Sequence, residues 1–87
     1  MIAEIIKKKL TDRIDASHIE IIDESHKHAG HAQSSGGHFR LHIISDDFSG
    51  LSLIERHRLI YGLLGDMIQN EIHALSINAK TSNEDAS

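Results

Sequence analysis

Residues 48–77, Phe48 to Ile77, read FSGLSLIERHRLIYGLLGDMIQNEIHALSI, and this stretch decides the fold. Ser52 followed three residues later by Glu55 is a capping box, in which each side chain satisfies a backbone donor left free at a helix start. Behind it, Leu53, Ile54, Ile60, Tyr61, Leu63, Leu64, Met67 and Ile68 recur at helical spacing and predict an amphipathic helix to about Gln69. Glu55, Arg56, Arg58 and Asp66 take its polar side, while His57, among Ile54, Tyr61 and Leu64, is expected against the sheet. Gly62-Leu63-Leu64-Gly65 has the spacing of an RNA-clamping loop, but no basic residue stands between the glycines, so close helix packing is expected instead. Ile72 to Ala79 then predicts a strand in which His73 shares parity with inward-facing Leu75 and Ile77.

Upstream, Ile2, Ile5, Ile6, Leu10 and Ile14 mark one face of a helix over roughly residues 2–13. The Lys7-Lys8-Lys9 run on its other side reads as a solvated face. Ser17 to Asp23 alternates weakly, with β-branched Ile19 and Ile21 on one side, and predicts a half-buried strand. Glu24 to Gly37 (ESHKHAGHAQSSGG) has no large apolar residue and reads as a long loop, a kind that compact domains usually keep for function. His38 to Ile44 alternates cleanly, Phe39, Leu41 and Ile43 facing the core, and closes an antiparallel hairpin with the first strand. The helical crossover then favours parallel pairing of the second and third strands. The result is an α+β fold: one small domain, αββαβ or αββααβ, with a three-stranded mixed sheet and its helices on one face. Residues 1–81 form the domain, and the polar run 82–87 is expected to be a disordered tail.

An 87-residue chain supports one thin core, and with only two Phe and one Tyr that core must be mostly Ile and Leu. There is no cysteine, which excludes disulfides and means that any iron–sulfur or zinc–thiolate centre needs sulfur from another molecule. The net charge of −4 argues against nucleic-acid binding by bulk electrostatics. No apolar run approaches the roughly 18 residues of a membrane span, so the expectation is a soluble, cytoplasmic protein, monomeric or weakly homodimeric when alone.

Eight histidines are the unusual feature. His26, His28 and His31 form an H-x-H-x-x-H run, raw material for binding zinc, copper, iron or nickel, although a solvated polar loop has the same composition. His38 and His42 read as surface residues of a strand, and His18 as the start of another. His73 differs, because it is polar where the chain enters the sheet and would be held by rigid structure. A fixed histidine with a second from the loop makes half a site, and two nitrogens leave a four-coordinate centre needing further ligands. No Gly-rich phosphate loop and no nucleophile signature is present, so an enzyme is not expected.

Phe48-x-Gly50-x-Ser52, then Arg56-His57-Arg58-Leu59-Ile60-Tyr61, then Ile72-His73-Ala74-Leu75-Ser76-Ile77, resemble the BolA family, as does Glu24-Ser25 ahead of a loop closing on His38-Phe39. The resemblance covers roughly Ile2 to Thr81. It implies an αββααβ domain like the second class of KH folds. It also implies a non-enzymatic partner of a monothiol glutaredoxin, the two forming a heterodimer around a shared 2Fe–2S cluster. The glutaredoxin cysteine and glutathione supply the sulfur, and the BolA-like chain supplies histidine. The family's C-terminal ligand falls on His73 and its loop ligand on His28. Because this loop is one residue longer than in similar sequences, His26, His31 and His38 stand as alternates. Imidazole on one iron raises the reduction potential relative to thiolate. It must also be neutral to bind, so affinity is expected to weaken as pH falls through about 6.5, the value for free histidine. Two other functions stay open. One is regulation through DNA or RNA, with Lys27, Arg40, Arg56 and Arg58 on phosphate. The other is a lone zinc, copper or nickel site on His26, His28 and His31.

Overall fold

The computed structural model describes residues 2–25 and 37–87. Helix α1 (Ile2–Thr11) leads to β1 (His18–Asp23), and β2 (Gly37–Ile44) follows. A 3-10 turn (Asp46–Phe48) precedes α2 (Leu53–Leu64), a second 3-10 turn (Gly65–Ile68) extends it, and β3 (Ile72–Lys80) and α3 (Ser82–Ala86) complete the chain. The sheet order is β1-β2-β3, with β1 antiparallel and β3 parallel to β2. The mixed sheet and crossover are thus as the sequence predicts.

The core follows from the two periodicities. Phe39, Leu41 and Ile43 are buried on β2 and meet Ile6 and Leu10 of α1 and Ile60 and Leu64 of α2. Truncating any of these fully buried Ile or Leu residues to Ala removes about 2–5 kcal/mol, a large share of what so small a domain has. Ser52 and Glu55 form the capping box: the Glu55 N–H donates to Ser52 Oγ at 3.1 Å and the Ser52 N–H to Glu55 Oε1 at 2.8 Å.

Three expectations are corrected on α2. Its regular turns end at Leu64, because Gly65 takes the left-handed φ of 57° and its N–H returns to the Tyr61 carbonyl. Gly62 has open space where a Cβ would stand, so the two glycines do not mediate close packing. The buried face is narrower than the apolar pattern: Arg56, Ile60 and Leu64 are inside, while Leu53, Ile54, His57 and Tyr61 are exposed.

A further correction concerns the tail. Residues 82–86 are helical, because Thr81 and Glu84 form a second capping box and the Glu84 carboxylate grips Arg56 of α2. Ser82 adds two hydrogen bonds to Asp46, from its N–H at 3.0 Å and its hydroxyl at 2.8 Å, which hold the Asp46 carboxyl below its ordinary range. Hydrogen bonds from Arg56 and from the Thr81 backbone lower the Glu84 pKa from 4.5 to about 2. A carboxyl with a depressed folded pKa stabilises above its unfolded value and loses that contribution as pH falls through the folded one. The wild type is therefore expected to melt above a Glu84→Gln variant at neutral pH, with the gap closing between pH 4.5 and 2. Thermal melts of both proteins across that range check it; a gap that stays constant to pH 2 would show that the pair does not hold α3.

Candidate functional site

At the end of the sheet where the loop departs, β2 and β3 are out of simple register. Gly37 pairs with Ile72 but His38 pairs with Ala74, which leaves His73 as the extra residue of a bulge. Two residues, His73 and Ala74, then separate the inward-facing Ile72 and Leu75, and both are exposed. His73 therefore does not share the inward parity of Leu75 and Ile77. The bulge turns it out of the core, and its ring stands beside that of half-buried His38, centroids 5.1 Å apart and planes inclined at 37°. The strand residue read as a surface histidine thus adjoins the one read as a fixed ligand.

The loop's two ends are clasped at the same place. The Ser25 N–H donates to Asp23 Oδ1 at 2.9 Å, and the His38 N–H donates to Ser25 Oγ at 3.0 Å. The Glu24 N–H reaches the His38 carbonyl at 2.7 Å, and the Gly37 N–H reaches the Glu71 carbonyl at 2.9 Å. Gly37 also has to be glycine, because a Cβ there would stand 2.2 Å from the Phe39 ring and 3.1 Å from Ser25 Oγ. Ser25 and Gly37 are thereby both held at the sheet end that carries His38 and His73. His26, Lys27, His28 and His31 lie outside the described residues.

Two imidazoles on one tetrahedral metal, with metal–nitrogen bonds of about 2.0–2.1 Å, place their centroids roughly 5 Å apart. The His38–His73 separation of 5.1 Å fits that requirement. Among the described residues no three or more His, Asp or Glu side chains converge as a ready-made metal centre. The pair presents two imidazoles side by side, and any metal centre built on them would need further ligands from outside.

The arginines part company. Arg56, expected on phosphate, is buried instead: Nε donates to the Leu51 carbonyl, Nη1 to the Ala79 carbonyl, and Nη1 and Nη2 to the two Glu84 oxygens at 2.6 and 3.0 Å. Its donors are turned into the fold, so it is a structural residue. Arg40 is exposed and paired with Glu24 at 3.3 Å, and Arg58 is exposed on α2. A cleft of about 420 Å³ between α2 and the last residues of β3 lies at the other end of the sheet from His73, lined by Leu53, His57, Ile77 and the Arg56–Glu84 pair. Among the described residues no helix is long and apolar enough to cross a membrane.

A family model described as BolA-like protein matches residues 10–84. The chain is 48% identical over 86 residues to SufE-like protein 1, chloroplastic/mitochondrial, of Arabidopsis thaliana, matching 91% of this chain and 23% of that protein. It is 39% identical to Protein BOLA1, chloroplastic, of the same plant, over 98% of this chain and 56% of that one. The chain thus spans about a quarter and about half of the lengths of these two relatives. A protein of Vibrio cholerae named DNA-binding transcriptional regulator BolA is 38% identical, over 97% of this chain and 78% of its own length. Among solved structures, the BolA domain of SufE1 from Arabidopsis thaliana superposes with a TM-score of 0.83 at 48% identity, covering 94% of this chain and 93% of that one.

Proposed function

The chain belongs to the BolA-like protein family, and we propose that it is a non-enzymatic adaptor that binds a monothiol glutaredoxin and co-ligates a 2Fe–2S cluster through histidine. The observation that carries this reading is the apposition of His38 and His73 at 5.1 Å on an exposed sheet end. A chain without cysteine cannot hold a four-thiolate cluster alone, but two imidazoles can complete one whose sulfur belongs to the glutaredoxin and to glutathione. The cluster itself supplies one-electron redox chemistry and is the cargo passed on.

What this chain contributes is position. The bulge holds His73 outside the core, and the Ser25–His38 and Gly37–Glu71 hydrogen bonds fix Ser25 and Gly37 at the same sheet end. His73 supplies one nitrogen. The resemblance implies His28 for the second, and His38, one of its alternates, stands beside His73.

The test is to add this chain to a glutaredoxin carrying a glutathione-ligated cluster and record visible absorption and circular dichroism. The charge-transfer bands are expected to shift as a one-to-one heterodimer forms. An unchanged spectrum overturns the reading.

A second reading, binding to DNA as a transcriptional regulator, is favoured by the name that the Vibrio cholerae relative carries. The burial of Arg56 removes one of its expected phosphate contacts and the net charge of −4 opposes it. Duplex binding that falls steeply with salt and weakens on Arg58→Ala is its signature.

A further inference from the structure

The histidines at the other end of the hairpin are not used by that reading. His18 opens β1 opposite Ile44, and Glu20 lies directly opposite His42, so His18, Glu20 and His42 share the sheet face that no helix covers. The His18 and His42 rings meet edge to face, with centroids 5.5 Å apart and planes at 68°. We propose that His18 and His42 form a second, independent site for a borderline divalent transition-metal ion, zinc being the probe that suits its geometry.

The separation carries the argument. Two imidazoles on one tetrahedral zinc bring their ring centroids about 5 Å apart, close to the 5.5 Å between these two, and turning the rings out of their edge-to-face packing brings a nitrogen of each to one ion. Both residues stand on paired strands, so the backbone is already fixed and only χ angles adjust. His18 is exposed and His42 half-buried, which leaves an open side for water ligands. Glu20 lies across from His42 on β1 and Asn78 across from it on β3, with Lys80 two residues further on that same face, and among the described residues these add no third side-chain ligand. The nearest cation on the same face of β2, Arg40, is already paired with Glu24. A pair of imidazoles selects zinc, copper or nickel over magnesium or calcium, which want oxygen ligands throughout. His42 lies four residues along β2 from His38, about 13 Å at strand spacing, too far for one ion to bridge the two pairs. The site therefore stands or falls separately from the cluster-ligating histidines.

The experiment is a zinc titration of the full chain, followed by the imidazole carbon–proton cross-peaks of each histidine in 1H–13C spectra. His18 and His42 are expected to shift together and saturably, and to do so unchanged in a His73→Ala variant. In His42→Ala, the His18 response is expected to weaken at least about tenfold, and His18→Ala is expected to do the same to His42. His18 is exposed, so its variant keeps the test valid should the half-buried His42 variant fold poorly. Two results overturn the proposal. In one, His18 and His42 stay still while other histidines move. In the other, each responds equally well after its partner is removed, which means two separate one-nitrogen contacts.

Discussion

Replacing Arg56 with Ala is expected to lower the thermal midpoint by roughly 10–20 °C, which for a domain of this size corresponds to about 2–3 kcal/mol. The size follows from what the guanidinium does. It donates to the Leu51 and Ala79 carbonyls, clasps Glu84 with both terminal nitrogens, and lies 5.8 Å from the centroid of the buried Phe48 ring. Alanine leaves the Ala79 carbonyl without this donor in a buried place, and each such orphaned group costs about 1–3 kcal/mol. Glu84 itself adds less, because its side chain is 45% exposed and water takes over its solvation. Arg56→Lys is expected to recover only part of the loss, since an ammonium cannot make the two-pronged contact while reaching two carbonyls on different elements. Urea or thermal melts check both variants. A shift below about 2 °C for Arg56→Ala would mean that the buried fork is dispensable.

The same residue shows where sequence reading succeeds and where it stops. The strands were legible because one sheet face is buried and the other is open, so Phe39, Leu41 and Ile43 alternate with polar neighbours. The start of α2 was legible because Ser52 and Glu55 are local. Arg56 was misplaced because an arginine between Glu55 and His57 reads as part of a polar side. Its spacing of four from Ile60 and eight from Leu64 was the available signal, since all three lie on the buried stripe. The helix after β3 was missed for a related reason. A five-residue polar helix has no apolar period, and what fixes it is a side chain 28 residues upstream. Thr81 with Glu84 three residues later was nonetheless a readable cap.

The histidine site was half legible. That His73 begins a strand follows from the run around it; that it escapes the core follows from a bulge, and a bulge is a matter of register between β2 and β3. No pattern within β3 announces it. The neighbour His38 was read by parity as a surface residue and only through the resemblance as an alternate ligand, because parity says nothing about which ring from the next strand arrives there.

His73→Ala is expected to abolish the spectral change that this chain causes in a glutaredoxin-bound cluster. The reasoning separates ligation from folding. His73 is exposed and sits at the bulge, and surface replacements of this kind usually change stability by no more than about 0.5 kcal/mol. A variant that melts with the wild type but leaves the cluster bands as they were before mixing has lost a ligand and nothing else. The second nitrogen is assigned by the same measurement. If His38→Ala removes the shifted bands and His28→Ala keeps them, the two rings at 5.1 Å are the ligand pair. If the two variants behave the other way round, His28 is the second ligand and His38 serves to orient His73. A wild-type spectrum from His73→Ala would remove this histidine from the site and the adaptor mechanism with it.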